Sequence, residues 1–183
     1  MQKIVLHTVP VCLFHRYYYI LEKSYNVSTL IPKKCYANST WTAERLSRQD
    51  VNILYPPCEV NMISLDKVVD KANNYTIVSL GQFRPEKNHS RQIEILDQFF
   101  NENPKYREHV CLYIIGGCRG LQDLELFSNL AKQIEKRGLK GNIKLIKNCS
   151  ENEKKAILEN ASVGLHTMES EHFGISIIEM MVL

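Results

Sequence analysis

The 183-residue sequence has no apolar run approaching the roughly 18 residues that a membrane-crossing helix needs. Its one weak apolar patch, Val9 to Phe14, is too short to read as a signal peptide, so no anchor is expected in the chain. An excess of charge of one sign is also missing. With 23 basic against 20 acidic side chains, the net charge of +3 gives no reason to expect nucleic acid, and no basic run interleaves with aromatics. No strand leads into G-x-G-x-x-G, which disfavours a dinucleotide-dependent dehydrogenase. The six cysteines (Cys12, Cys35, Cys58, Cys111, Cys118 and Cys149) form no C-x-x-C pair and no cluster with histidine. His89, His166 and His172 lack metal-ligand spacing, so each is expected to make an ordinary polar contact, and no metal is expected. Free thiols suit a reducing compartment, where the N-x-S/T triplets at Asn26, Asn38, Asn88, Asn148 and Asn160 are chance matches.

A composition of 44% hydrophobic and 23% charged residues is that of a chain able to bury a core, and its pattern is clear from Tyr75 onwards. Thr76 to Leu80, Val110 to Ile115 and Ile143 to Ile146 are near-continuous apolar strands. Between them, Ser90 to Phe100 carries Ile93, Leu96, Phe99 and Phe100 on one side, and a long helix ending at Gly138 carries Leu126, Phe127, Leu130, Ala131 and Ile134. Glu151 to Asn160 reads as a short helix and Ala161 to His166 as a short buried strand, and a last helix opens near Gly174. This alternation predicts an α/β fold, a Rossmann-like parallel sheet with helices on both faces. Before Tyr75 the pattern is weaker: a helix around His15 to Leu21 bracketed by Pro10 and Pro32, a strand end at Cys35 to Ala37, and a helix over Thr42 to Leu46 capped by Thr40 or Thr42. A strand over Asp50 to Tyr55 stops at Pro56-Pro57, a natural division between 1–57 and 58–183.

Ligands of parallel sheets sit beyond the carboxyl ends of the strands, which places the loops 81–88, 116–120, 147–150 and 167–174 on one rim. In the first, Gly81-Gln82-Phe83-Arg84-Pro85-Glu86-Lys87-Asn88-His89 sets two cations at the mouth of a helix, an arrangement suited to a diphosphate. Taken alone, Arg84 and Lys87 could equally be solvated or paired with Glu86. Gly116-Gly117 either lets backbone approach a ligand or simply turns the chain. In the last loop Glu171 and Glu179 stand eight positions apart. Eight residues of helix would separate them by about 12 Å, beyond the ~5–9.5 Å of a glycosidase carboxylate pair. A long ligand with one carboxylate at each end, such as a sugar joined through a diphosphate to a nucleoside, fits that spacing better than hydrolysis. A first-turn acid favoured by the helix dipole and a solvated helix glutamate would leave the same pattern.

These residues resemble a known family. The E-x7-E pattern from Glu171 to Glu179, preceded by a strand and paired with the G-x-F-x-P-E-K loop, looks like the carboxy-terminal donor domain of retaining GT-B glycosyltransferases. More narrowly, Asn38-Ser39-Thr40-Trp41-Thr42, Tyr55-Pro56-Pro57-Cys58, the Gly81 to His89 loop, Tyr113-Ile114-Ile115-Gly116-Gly117-Cys118-Arg119, and Gly164 to Met168 ahead of Glu171 to Ile175 are similar to one branch. That branch transfers mannose from GDP-mannose, in α-1,2 linkage, to a dolichol-diphosphate-linked oligosaccharide in N-glycan precursor assembly, on the cytosolic face of the endoplasmic reticulum membrane. The resemblance runs from about Asn38 to Met180.

The resemblance implies a hexosyltransferase in which Glu171 is the catalytic carboxylate at the mannose. Arg84 and Lys87 would bind the donor diphosphate, Gly81 would belong to the same donor site, the backbone of Phe173, Gly174 and Ile175 would meet sugar and phosphate, and Glu179 would hold the ribose, without a metal. A nucleotide sugar and a dolichol-linked oligosaccharide are the implied partners, and no nucleic acid. Residues 1–57 would be a remnant of the N-terminal GT-B domain with its interdomain linker, and 58–183 an incomplete C-terminal donor domain, with acceptor binding and membrane association lying in regions outside this chain. From that follows the expectation of a marginally stable, inactive fragment with an exposed sheet edge. A retaining GT-B enzyme with a different nucleotide sugar and an inactive truncated remnant stand as alternatives.

Overall fold

A computed structural model describes residues 11–46, 48–58 and 74–181. The chain divides into two compact units, Met1–Pro57 and Cys58–Leu183. In the first, α1 (Val11–Leu30) precedes a parallel pair of short strands, β1 (Cys35–Ala37) and β2 (Val51–Ile53), registered Cys35 to Val51 and Ala37 to Ile53. Tyr17, Tyr18, Tyr19 and Ile20 are all exposed, and none of the side chains described between 15 and 28 is buried, in keeping with a sequence that shows no clean period. One helical turn, α2 (Thr40–Ala43), follows β1. Its cap is Ser39 rather than the expected Thr40 or Thr42. Extended Ser39 is the last non-helical residue, and its Oγ accepts the Thr42 N–H at 3.1 Å. The expected continuation to Leu46 is absent because α2 buries no residue, leaving nothing to hold further turns.

The second unit is a four-stranded, all-parallel sheet of β3 (Tyr75–Leu80), β4 (Val110–Gly116), β5 (Ile143–Lys147) and β6 (Val163–Gly164), in the order β5-β4-β3-β6. The helices are α3 (His89–Glu102), α4 (Leu121–Lys136), α5 (Glu151–Leu158) and α6 (Ile175–Met181). Side chains alternate across each strand and so build two cores. Val110, Leu112 and Ile114 of β4 pack with Ile93, Leu96 and Phe100 of α3 and Leu130 and Ile134 of α4. Ile115, with Val78 and Leu80 of β3, packs on the other face with Leu158 of α5 and Met180 of α6. Helices therefore cover both faces.

The stretch Ala161 to His166 is a correction to the sequence reading. It pairs with β3 only at Val163 and Gly164, and both are exposed, because β6 is the outermost strand of the order. The chain grows outward from β3 through β4 to β5 and then returns to β6 on the opposite side of β3. Strand order thus reverses between β3 and β6, and a sheet wound in this way opens its ligand crevice at the reversal.

Candidate functional site

The loops leaving β3 and β6 meet at that reversal. Lys87 closes a 3₁₀ turn, Pro85–Lys87, and its Nζ donates to Glu171 Oε2 at 2.8 Å across 84 positions of sequence, with both side chains only 20% exposed. Buried polar side chains brace the pair. Gln92 Nε2 donates to Ser79 Oγ at 2.8 Å and to Thr167 Oγ1 at 2.9 Å, and Thr167 Oγ1 in turn donates to the Lys87 carbonyl at 2.9 Å. Below them His89 is buried, with Nε2 3.1 Å from the Gln82 carbonyl. Burial holds its imidazole below the ordinary histidine value, so the ring is neutral and its proton on Nε2 serves that carbonyl.

Glu171 is the electrostatic centre of this cluster. Partial burial pushes its carboxyl up, but the hydrogen bond and charge of Lys87, together with His166, outweigh burial and hold it below the usual glutamate value. His166 Nε2 lies 3.1 Å from the same Oε2 oxygen. That is ion-pair distance, yet the alignment makes no hydrogen bond, and the buried Nε2 has no other partner. Gly174 shapes the carboxylate from below. Its φ of +80° favours glycine, and a Cβ there would stand 2.8 Å from Ile177 Cδ1 and 3.1 Å from Glu171 Cγ. The Gly174 carbonyl accepts from the N–H groups of Ile177 and Ile178 and so starts α6.

Glu171 accordingly lies outside the helix, four residues before its first turn, and the 12 Å inferred from an eight-residue helix does not apply. The two glutamates are instead separated by their partners: Glu171 belongs to Lys87 and His166, and Glu179 to Lys154 at 3.3 Å. Glu179 lines a hollow of about 270 Å³ beside the pair, together with Gly81, Gly116, Asn148, Lys154 and Ser176. Backbone contact fixes its floor, since a Cβ on Gly116 would fall 1.9 Å from the Gly81 carbonyl oxygen. Asn148 holds its wall, accepting from the Cys118 N–H at 2.8 Å and donating to the Cys118 carbonyl at 3.2 Å. Lys154 also pairs with Glu151 at 2.8 Å. Burial lowers the Lys154 ammonium pKa, but Glu151 and Glu179 outweigh it and hold it above the ordinary lysine value.

The structure thus places Gly81 and Glu179 in one hollow and Lys87 with Glu171 beside it, the stem of Lys87 lying against Gly81. Phe173 is half-buried, whereas Ile175 is 48% exposed at the start of α6 and does not line the hollow. Arg84 is exposed and joins no ion pair among the described residues. Two residues escaped the sequence reading as site members, His166 and Lys154. The available signals were that His166 stands where its strand reaches the rim, five positions before Glu171, and that Lys154 lies one turn beyond the helix cap Ser150. Among the described residues no group of three or more His, Cys, Asp or Glu side chains is placed to hold a metal, and no helix is long and apolar enough to cross a membrane.

A parallel sheet wound in this order, with paired charges gathered at its reversal, is a Rossmann-like α/β domain, and comparison with known proteins places it among the GT-B glycosyltransferases. Two solved structures share the fold: Anabaena Alr3699/HepE in complex with UDP and glucose, with a TM-score of 0.67 and 19% identity over 88% of this chain and 45% of that one, and TarM, with 0.68 and 16% over 88% and 30%. The chain belongs to the family Glycosyl transferases group 1, matched over residues 64–183. It is similar to proteins named GDP-Man:Man(3)GlcNAc(2)-PP-Dol alpha-1,2-mannosyltransferase. The one from Mus musculus is 37% identical over 173 residues, covering 90% of this chain and 35% of the relative, and the one from Dictyostelium discoideum is 33% identical over 180 residues with the same coverage. The chain spans about a third of the length of these curated relatives.

Proposed function

We propose that this chain carries the donor-binding part of a mannosyltransferase that moves mannose from GDP-mannose to a dolichol-diphosphate-linked oligosaccharide, forming an α-1,2 linkage at the cytosolic face of the endoplasmic reticulum membrane. Residues 58–183 act as the donor domain, and residues 1–57 belong to the N-terminal domain and linker. The observation that carries this reading is the meeting of Lys87 and Glu171 at 2.8 Å, at the reversal of strand order and against the hollow that holds Glu179. The names of the relatives support the choice of donor and acceptor.

In the transfer, the bond between mannose C1 and the diphosphate oxygen breaks and its electron pair leaves with GDP. The acceptor hydroxyl oxygen bonds to C1 and gives up its proton, which the departing diphosphate takes. Charge grows on the diphosphate, so catalysis depends on fixed cations and N–H donors placed there. Lys87 fills that role with Arg84 and the backbone from Phe173 to Ile175, and no metal is required. Lys87 pairs with Glu171. A bound donor draws Nζ to the diphosphate and leaves the Glu171 carboxylate to accept from mannose hydroxyls, while Glu179 accepts from the ribose.

Calorimetric titration of the chain with GDP-mannose, GDP and UDP-glucose tests the reading. Guanosine ligands bind selectively, and Lys87→Ala or Glu179→Ala each weakens them about tenfold, roughly 1.4 kcal/mol. A preference for UDP-glucose moves the assignment to a GT-B enzyme with another donor. Silence towards all three overturns it.

A further inference from the structure

Among the described residues, His166 Nε2 is the single buried side-chain nitrogen or oxygen with no hydrogen bond. Such atoms are rare in folded proteins, and this one has an acceptor, Glu171 Oε2, 3.1 Å away but out of line. The His166 side chain is 16% exposed, and Nε2 faces the one oxygen of Glu171 that Lys87 already holds. Two charged groups act on the ring, Glu171 from the loop before α6 and Lys87 from the turn after β3. Burial, the largest influence, and the Lys87 charge favour the neutral imidazole, and Glu171 opposes them without prevailing. The site is therefore a carboxylate flanked by two basic groups on the same oxygen, and the Lys87 charge disfavours protonation of the histidine beside it.

Resting on the donor-binding reading above, we propose that His166 is a positioning residue for Glu171: when a diphosphate draws Lys87 off the carboxylate, His166 takes up a proton on Nε2 and replaces the lysine as its partner. The balance is simple. One proton comes from solvent and forms the Nε2–H bond; it stays on the ring, hydrogen-bonded to the ionised Glu171 Oε2, and returns to solvent when the ligand leaves. The diphosphate adds negative charge nearby and pushes in the same direction. Glu171 then keeps both its ionised state and its orientation through donor binding, as its contact with mannose hydroxyls demands.

GDP-mannose is the right probe, because its diphosphate is esterified at both ends and releases or binds no proton near neutrality. Titrations of the 183-residue chain at about pH 6–7.5, the range in which histidine responds, in buffers of unlike ionisation heat, count the protons that accompany binding. The wild type takes up a fraction of a proton, and its affinity rises as pH falls, by at most about tenfold per pH unit for one linked proton. His166→Gln still binds, with no uptake and with an affinity flat in pH. A merely space-filling histidine would instead give a loss equal at every pH. NMR titration of the histidine rings in the wild-type chain makes the same test without a variant, since the ring against the Glu171 loop moves towards imidazolium on adding ligand. Binding without uptake, or uptake that persists in His166→Gln, overturns the proposal and leaves the donor reading standing. No binding of GDP-mannose at all overturns the donor reading itself, and this proposal with it.

Discussion

Two lysine–glutamate pairs stand on the same rim of the sheet, and they are built differently. Lys87–Glu171 joins two loops, with both side chains 20% exposed, braced by Thr167 and Gln92 and shaped by Gly174. Lys154–Glu179 joins two helices at 3.3 Å, and its lysine is shared with Glu151, whose side chain is 86% exposed. In the first pair the loops that carry the two side chains are held by their surroundings. The second holds itself, on long side chains with other places to go. A site that must stabilise charge at one atom needs the first construction, while a hollow that receives a ribose can use the second.

The comparison can be strained hardest at Gly174. Alanine there takes a left-handed conformation, worth roughly 1–2 kcal/mol, and drives its methyl group against Ile177 and Glu171, worth roughly 1–3 kcal/mol more. Urea unfolding of Gly174→Ala is expected to show a loss of about 2–5 kcal/mol, together with loss of GDP-mannose binding. A near-silent substitution would mean that the loop carrying Glu171 is free to move, and the contrast between the pairs would vanish.

Glu171→Gln is expected to cost less, about 1–2 kcal/mol, between the ~0–1 of an exposed pair and the ~3–5 of a fully buried one. Its pH dependence identifies the pair. Because the folded carboxyl titrates below its unfolded value, the stabilisation is fully present above the ordinary glutamate range and is lost as pH falls through the folded value. The gap in unfolding midpoint between wild type and Glu171→Gln should therefore close on acidification. Lys154 has the opposite sign, since its folded pKa is raised above 10.5: its contribution is present below the ordinary lysine value and is lost as pH rises through the folded one.

The same contrast explains what the sequence could and could not reveal. The core strands were legible because Val110, Leu112 and Ile114 declare burial by composition alone, and α3 because Ile93, Leu96 and Phe100 recur at helical spacing and are buried. β6 misled because its apolar letters belong to an edge, where only Val163 and Gly164 pair and neither is covered. The loop containing Lys87 stands out by its glycine, proline and charges, but the eight positions from Glu171 to Glu179 read as continuous helix, whereas α6 begins only at Ile175. His166 and Lys154 acquire meaning only through partners that folding brings to them, Lys87 from 79 positions upstream and Glu179 from 25 positions downstream. No local pattern records such meetings.

The smallest effect belongs to Lys154→Ala. Its ammonium divides between Glu179 and an exposed Glu151, so neither carboxylate is stranded in a buried place when the lysine is removed. A loss below about 1 kcal/mol is expected in urea unfolding at neutral pH, vanishing on the alkaline side. The donor should still bind, because Glu179 is left free to accept from the ribose and loses only a competitor for its lone pairs. A loss as large as that of Glu171→Gln would show that the helix-borne pair is as rigidly held as the loop-borne one, and that the hollow was organised before any ligand arrived.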